Sequence, residues 1–427
     1  MPYLMTINGM DAGRVHSLDE GQVRIGRGPD CHLLLDAESV SRHHATLHLH
    51  GHRCTVEDHD SRNGTFVNNR PVHERVALRE GDQLRIGELS FSFHFSADER
   101  QDGPEETGLK RVPSFQATAS LEMLRQRATL LRRSREFFDQ RGFLEVETPL
   151  VSQDTVVDRY IEPVSVTISG QRMWLQTSPE FAMKRLLASG ATAIYQLTRA
   201  FRDDEQGSSH NPEFTILEWY RCGDSMEQAM NLLDEFSQHL LDVAPARRIS
   251  YQQAFQQCLD FDPLSGSTSA LLKLIASLEF QPPDNWRAMD RDGWLHLLLA
   301  EFIEPWLSDQ PTILYDYPAS QAALAVVRQD DPPVAERFEL YVNGVELANG
   351  YHELLEADEL RRRNEDVNQL RIQDGRAELP VESYLLDAMR SGIADCCGVA
   401  LGMDRLAMVA SGVTDIRQVI AFPFDRA

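Results

Sequence analysis

Residues 96–117, SADERQDGPEETGLKRVPSFQA, show neither helical nor strand periodicity of apolar residues. A run of charge, Gly and Pro without an apolar stripe has nothing to pack into a core, so it reads as a flexible linker. That break makes the chain fold as two separate bodies. Residues 1–95 hold many short apolar runs, among them QVRIGR, ATLHLH, RCTVED, DQLRIG and LSFSFHF, parted by Gly, Asp, Asn and Pro. Such runs with frequent turn residues predict an all-β sandwich. Beyond the break, from residue 118, SLEMLRQRATLLRRSREFFDQRG puts Leu121, Leu124, Leu131, Phe137 and Phe138 on one helical stripe, and Gly142 closes it. Helices and strands then mix to residue 427. No apolar run reaches the roughly 18 residues of a membrane span. The N-terminus, MPYLMTINGMDAGR, lacks the apolar core of a signal peptide. Six cysteines without C-x-x-C spacing point to reduced thiols in a cytoplasmic protein.

The densest chemistry lies in FRDDEQGSSHNPEFTILEWY, Phe201 to Tyr220. It reads as strand, loop, strand. Arg202, ending the first strand, can fork onto a phosphate. The loop can cover a nucleotide. The returning strand alternates in period two, so Glu218 and Tyr220 share a face on which they can meet a cationic substrate. That is equipment for activating an amino acid with ATP. Other stretches fit the same task. GFLEVETPL (Gly142 to Leu150) reads as a strand ending in proline. Ser178-Pro179-Glu180 opens a helix. RFELYVNGVELANGYHEL presents Glu339, Glu346, Asn349, Tyr351 and Glu353, and GVALGMDRLAMV feeds a Gly-rich strand into a helix with Arg405 at the junction.

In the first segment, Gly26-Arg27, then Ser41-Arg42-His43-His44, then Asn63-Gly64-Thr65 resemble the forkhead-associated (FHA) domain in order and spacing. The resemblance implies a phosphothreonine peptide as ligand. Arg27, Ser41 and Arg42 would hold the phosphate, Asn63 the adjoining peptide backbone, and His44 would tie loops together. Ten of the fourteen histidines lie here, and the alternation LHLHGH reads as a solvent-facing strand edge rather than a metal site.

In the second segment, SPE, HNPEFT followed by E-x-Y, E-x-ANG-x-x-E and G-x-DR resemble the motifs of class II aminoacyl-tRNA synthetases of the lysyl branch. The likeness runs from about Leu121 to Ala427. It is closest to a smaller paralogue family, the elongation factor P lysine lysyltransferases, through SPEF, LEWY, YPASQAALA, DCCGVALG and the terminal DRA. It implies an α+β catalytic domain over 118–427, with an antiparallel sheet flanked by helices. It implies ATP and Mg²⁺ as well. Arg202 would stabilise the charge on the α-phosphate, and Arg405 would clamp the γ-phosphate side. Asp204, His210, Asn211, Glu346, Leu347 and Gly402 would contact the nucleotide, and Glu339 with Glu346 would hold the metal. Ser178, Glu180, Glu218, Tyr220, Asn349, Tyr351, Glu353 and Ala400 would line the amino-acid pocket. Two ammonium groups on one substrate explain the convergence of carboxylates. Two positions depart from the synthetase pattern: Asp204, followed by Glu205, stands where glutamate is usual, and Ser209 where true lysyl enzymes carry a further arginine.

A tRNA acceptor fits poorly. Residues 1–100 hold 11 Arg and no Lys against 15 acids, a net of −4 within the chain's −24, where lysyl-tRNA synthetases carry an anticodon-binding barrel. Ala400 stands where true lysyl enzymes have glycine. The resemblance therefore points to activation of (R)-β-lysine, or lysine, and its transfer to a lysine of elongation factor P, with the FHA domain adding control by threonine phosphorylation. Thr107, Ser114 and Thr118 are candidate ligands within the chain. Class II pairing through GFLEVETP implies a homodimer. Two other readings stay open: a lysyl-tRNA synthetase without its barrel, and a phosphopeptide-binding scaffold on a degenerate synthetase domain.

Overall fold

The computed structural model of the chain describes residues 2–6, 15–18, 21–28, 30–35, 37, 39–50, 53–59, 61–67, 70–72, 75–78, 82–94, 115–203, 205–278, 280 and 289–427. Most of the expected linker, with Thr107 and Ser114, and Asp204 all lie outside these residues. Two compact units divide the chain, Met1–Lys110 and Arg111–Ala427.

The first unit is a β-sandwich. One sheet runs Val15–Ser17, Tyr3–Thr6, Leu89–His94, Gln83–Ile86, Thr65–Val67, Arg70–Pro71. The other runs Leu33–Leu34, Gly21–Gly26, Ala45–His50, Arg53–Asp58, Val76–Leu78. Period-two alternation builds the core between them: Ile25, Leu47, Leu49, Val56, Leu84 and Phe93 are wholly buried, while Gln22 and Arg24 point out. The ATLHLH strand departs from expectation at His48. That ring is buried rather than solvent-facing, because Glu57 on the next strand gives its Nε2 a partner at 3.0 Å.

The second unit is built on one large, mostly antiparallel sheet. Its strands lie in the order Leu144–Glu145, Ala193–Phe201, Glu213–Cys222, Cys396–Gly402, Val345–His352, Val334–Val342, Thr312–Pro318, Arg247–Ser250. Only the outermost pairs, 144–145 with 193–201 and 247–250 with 312–318, are parallel. The two faces differ sharply. Leu217, Trp219, Phe338, Leu340, Val399 and Leu401 point to one side and form a single core with Phe137, Phe138, Leu233, Phe236 and Leu406. Those partners come from helices Leu121–Asp139, Met226–Leu241 and Met403–Ser411. The residues between them in sequence turn to the other face, which is polar.

Three local expectations change. GFLEVETPL forms only the two-residue strand Leu144–Glu145 at the sheet edge, followed by one more bond from the Val146 N–H to the Tyr195 carbonyl at 2.9 Å. The helical stripe runs through Leu130, Ser134, Phe137 and Phe138, whereas Leu121, in the first turn, is 72% exposed. Thr118 is not a free linker residue. Its N–H donates to the Ala421 carbonyl at 2.9 Å and its hydroxyl to the Ile420 carbonyl at 2.8 Å, so it stitches the entry of the unit to its C-terminal segment.

Asp404 is the hinge pin of the helix-covered side. Its carboxylate accepts from the Thr215 N–H at 2.7 Å and pairs with Arg127 at 2.5 Å. Both side chains of the pair are largely buried, so removing one partner strands the other. Asp404→Ala is expected to lower unfolding stability by about 3–5 kcal/mol. Urea denaturation checks it, and a loss within about 1 kcal/mol would show the pair to be dispensable.

Candidate functional site

Cross-strand register assembles the polar face. Glu218, Ala400, Asn349 and Glu339 sit opposite one another in one row across four strands. Tyr220, Gly398, Tyr351 and Arg337 form the next row. Glu346 reaches this face through a β-bulge. Leu340 pairs with Ala348 and Tyr341 with Glu346, which leaves Leu347 as the extra residue and reverses the alternation. Above the face lies a cavity of about 310 Å³ lined by Ser178, Glu180, Arg202, His210, Asn349, Tyr351, Ala400, Gly402 and Arg405, among others.

One end of the cavity is a cluster of buried carboxylates. Glu180, Glu218 and Glu353 are 8%, 1% and 1% exposed. Glu218 accepts from the Ser178 hydroxyl at 2.7 Å and from the Tyr220 hydroxyl at 2.6 Å. Lys184, one helical turn after Glu180, places its ammonium 2.6 Å from Glu180 and 2.5 Å from Glu353. Burial, reinforced by Glu180, pushes the Glu218 carboxyl up to about 7, and burial pushes that of Glu353 up to about 8. Against the pull of burial, Glu180 and Glu353 raise the Lys184 ammonium, so it stays charged. Oε1 of Glu353 and Oδ1 of Asn349 are buried acceptors with no hydrogen-bond donor. Of the expected amino-acid pocket, Ser178, Glu180, Asn349, Tyr351 and Ala400 line the cavity. Glu218, Tyr220 and Glu353 stand behind it.

The other end is cationic. Among the described residues Arg202 has only Glu205 as an ion partner, at 3.7 Å, and it lies 5.0 Å from the Phe214 ring centre. Arg405 donates to the Glu346 carbonyl at 3.1 Å, contacts its carboxylate at 3.4 Å, and bonds the His210 ring. Burial, with Arg405 beside it, lowers the proton affinity of His210, so it accepts rather than repels. Asn211 borders the cavity as well, and its amide also serves the fold. It donates to the Glu213 carbonyl at 2.6 Å and accepts from the Phe424 N–H at 2.9 Å, which binds the terminal FPFDRA segment to the loop. Gly402 borders the cavity with room for a Cβ, whose nearest neighbour would be Arg405 at 3.9 Å.

The two acids expected at the metal stand differently. Glu339 takes bonds from Arg337 at 2.6 Å, from Tyr341 at 2.6 Å and from Tyr317, and despite its burial these hold it below the ordinary carboxylate range. Glu346 lines the cavity, and burial and Glu339 raise it. Glu304, which follows a π-helical turn over Leu299–Ile303, is pushed up to about 7 by burial, Glu346 and Glu339. Burial thus raises both Glu346 and Glu304, and the charge of Glu339 adds to each.

Sequence reading missed Lys184, Phe214 and Glu304. Phe214 was within reach, since it shares the parity of Glu218 on its strand. Lys184 is at i+4 from Glu180, the spacing at which helical side chains meet.

In the sandwich, the three motif loops converge. Arg27 N–H donates to the Ser41 carbonyl at 3.0 Å, and a Cβ on Gly26 would lie 2.2 Å from the Arg42 carbonyl, so only glycine permits this approach. The wholly buried His44 bridges the Ser41 N–H at 3.0 Å and the Gly64 carbonyl at 3.1 Å. The Ser41 hydroxyl accepts from the Arg62 N–H at 3.1 Å, and the Asn63 amide donates to the Ser39 carbonyl at 2.8 Å. Arg27 and Arg42 are exposed beside them.

Comparison with known proteins matches this division. The FHA domain family matches residues 23–87. The family of tRNA synthetases class II (D, K and N) matches residues 105–426. Proteins called elongation factor P–(R)-β-lysine ligase, from Salmonella arizonae, Salmonella gallinarum and Salmonella paratyphi B, are each 45% identical to the chain over 326 residues, 75% of the chain and the whole of each relative.

Proposed function

Because the chain is a ligase that belongs to the tRNA synthetases class II (D, K and N) and carries an FHA domain, we propose that it activates (R)-β-lysine, or lysine, with ATP and transfers it to a lysine of elongation factor P. One observation carries the substrate class: three buried carboxylates cluster at the end of the cavity with one ammonium, that of Lys184, which pairs with two of them. With all three ionised, as an arriving ammonium would make them, two negative charges are left over, which suits a substrate with two ammonium groups. The acceptor is taken from relatives matched over their whole length. The −4 charge of residues 1–100, which repels tRNA, agrees with it.

The chemistry asks for position and charge rather than a nucleophilic side chain. The substrate carboxylate attacks the α-phosphorus of ATP, pyrophosphate leaves, and Arg202 neutralises the charge building on the phosphorus oxygens. Arg405, oriented by His210 and Glu346, holds the pyrophosphate side. Glu346, with Glu339 and Glu304 behind it, would hold Mg²⁺, which supplies further charge neutralisation on the phosphates. The acceptor amine then attacks the carbonyl of the mixed anhydride and AMP leaves. Phe214, on the same face of its strand as Glu218, offers a ring to the adenine.

ATP–pyrophosphate exchange tests this step. Exchange stimulated by (R)-β-lysine or lysine is the expected result, and no exchange with either would refute the enzyme reading and favour a scaffold. The FHA loops support a second part of the reading, targeting or regulation by a phosphothreonine peptide through Arg27, Ser41, Arg42 and Asn63. Capture by phosphothreonine peptides should disappear in Arg27→Ala. The exposed edge strand at Leu144, 61% exposed, supports pairing of two copies. Among the described residues no helix is long and apolar enough to cross a membrane, and the reading places the protein in the cytoplasm.

A further inference from the structure

We propose that Lys184 is a positioning residue for the diamino-acid substrate. Its buried ammonium, clamped between Glu180 and Glu353, fixes both carboxylates and sets the charge that the substrate must match. The inference rests on the reading of the pocket given above. Lys184 is 2% exposed and meets two carboxylates from different elements, Glu180 on its own helix and Glu353 just beyond the strand Val345–His352. It does not line the cavity, so it acts through its partners: Glu180, which does line it, and Glu353, which stands directly behind it.

The geometry sets Glu180 in the cavity wall and Glu353 directly behind it. Lys184 pairs with Oε1 of Glu180 and Oε2 of Glu353. Oε1 of Glu353 remains without a donor and Glu180 borders the cavity. Without the ammonium, Glu353 would be a buried charge with no partner and would hold a proton instead. A protonated Glu353 no longer attracts an amine. The groups facing the ammonium and its partners are Glu180, Glu218, Tyr220, Tyr351, Cys396 and Glu353, and Lys184 supplies the positive charge among them.

The sign of the pH dependence follows. Burial already holds Glu218 at about 7 and Glu353 at about 8, so the empty pocket keeps protons near neutrality and an arriving ammonium displaces them. Affinity for the diamino acid therefore rises as pH climbs through that range. With Lys184 gone, Glu353 holds its proton to higher pH, and the rise moves the same way.

The test compares wild type, Lys184→Met, Lys184→Arg and Lys184→Met/Glu353→Gln in pyrophosphate exchange from pH 6 to 9, with ATP affinity measured separately. Lys184→Met should raise KM for lysine or β-lysine by about 10- to 100-fold, with a smaller change in kcat and unchanged ATP affinity. The acidic limb of kcat/KM should move to higher pH. Lys184→Arg should recover part of the loss. The double variant removes the stranded carboxylate, so it should fold even if Lys184→Met does not, and it should keep the high KM. If KM and the pH limb stay as in wild type, or ATP affinity falls in parallel, the role is not positional. A wild type inactive with both amino acids would instead overturn the reading of the pocket.

Discussion

Arg202→Ala is expected to lower pyrophosphate exchange by about 10³-fold, mostly in kcat. Its backbone is fixed by an N–H bond to the Pro212 carbonyl at 2.9 Å, so the side chain leaves a rigid turn. Among the described residues its Nε is buried without a hydrogen-bond partner, and its sole ion partner stands at 3.7 Å. A guanidinium held in place but left unsatisfied is ready for an anion that appears only as the reaction proceeds. Removing it withdraws charge where negative charge develops. Arg202→Lys keeps the charge and loses the fork, so it should fall between the two. Steady-state exchange at saturating ATP reads both variants. A kcat within about threefold of wild type in Arg202→Ala would remove Arg202 from the chemistry.

Gly398→Ala should disable the amino-acid end while sparing the nucleotide end. A Cβ there would lie 2.2 Å from a ring carbon of Tyr220 and 2.3 Å from Oε1 of Glu353. Neither can retreat, since Tyr220 is 3% and Glu353 1% exposed. Overpacking of this kind costs about 1–3 kcal/mol of stability. It also pushes Oε1 of Glu353 out of line, so KM for lysine should rise about 100-fold, with ATP affinity little changed. Gly402→Ala is the control for packing, because its Cβ meets nothing closer than 3.9 Å and should leave stability intact. Unchanged lysine kinetics in Gly398→Ala would mean that Glu353 does not serve the substrate.

Much of this site could be read in the sequence because strands alternate. FTILEWY fixed the shared face of Glu218 and Tyr220, and with it the burial of Leu217 and Trp219 against the helices. What could not be read depends on contacts remote in sequence. The placement of Glu346 turns on a bulge at Leu347, which no local pattern announces. Glu339 looks like a free acid in RFELYV, but Tyr317, from a distant strand, and its neighbours Arg337 and Tyr341 enclose it. Asn211 sits in a motif read as nucleotide-binding, yet its amide holds the last turn of the chain. Asp404, beside Arg405, likewise fastens the fold where it borders the cavity. Lys184 escaped notice because a lysine after SPEF reads as an exposed helical residue until Glu353 arrives from across the sheet. In the sandwich the order GR, SxxH, NG was enough to place three loops together, since Gly26 and His44 tie them by backbone contacts.

The central claim is that the activated diamino acid goes to a protein amine. Purified elongation factor P incubated with the full chain, ATP, Mg²⁺ and (R)-β-lysine, then measured by intact mass, tests it most directly. The account predicts a gain of one lysyl residue, located on a lysine side chain and absent without ATP. Unmodified elongation factor P alongside charged tRNA in the parallel reaction would contradict it.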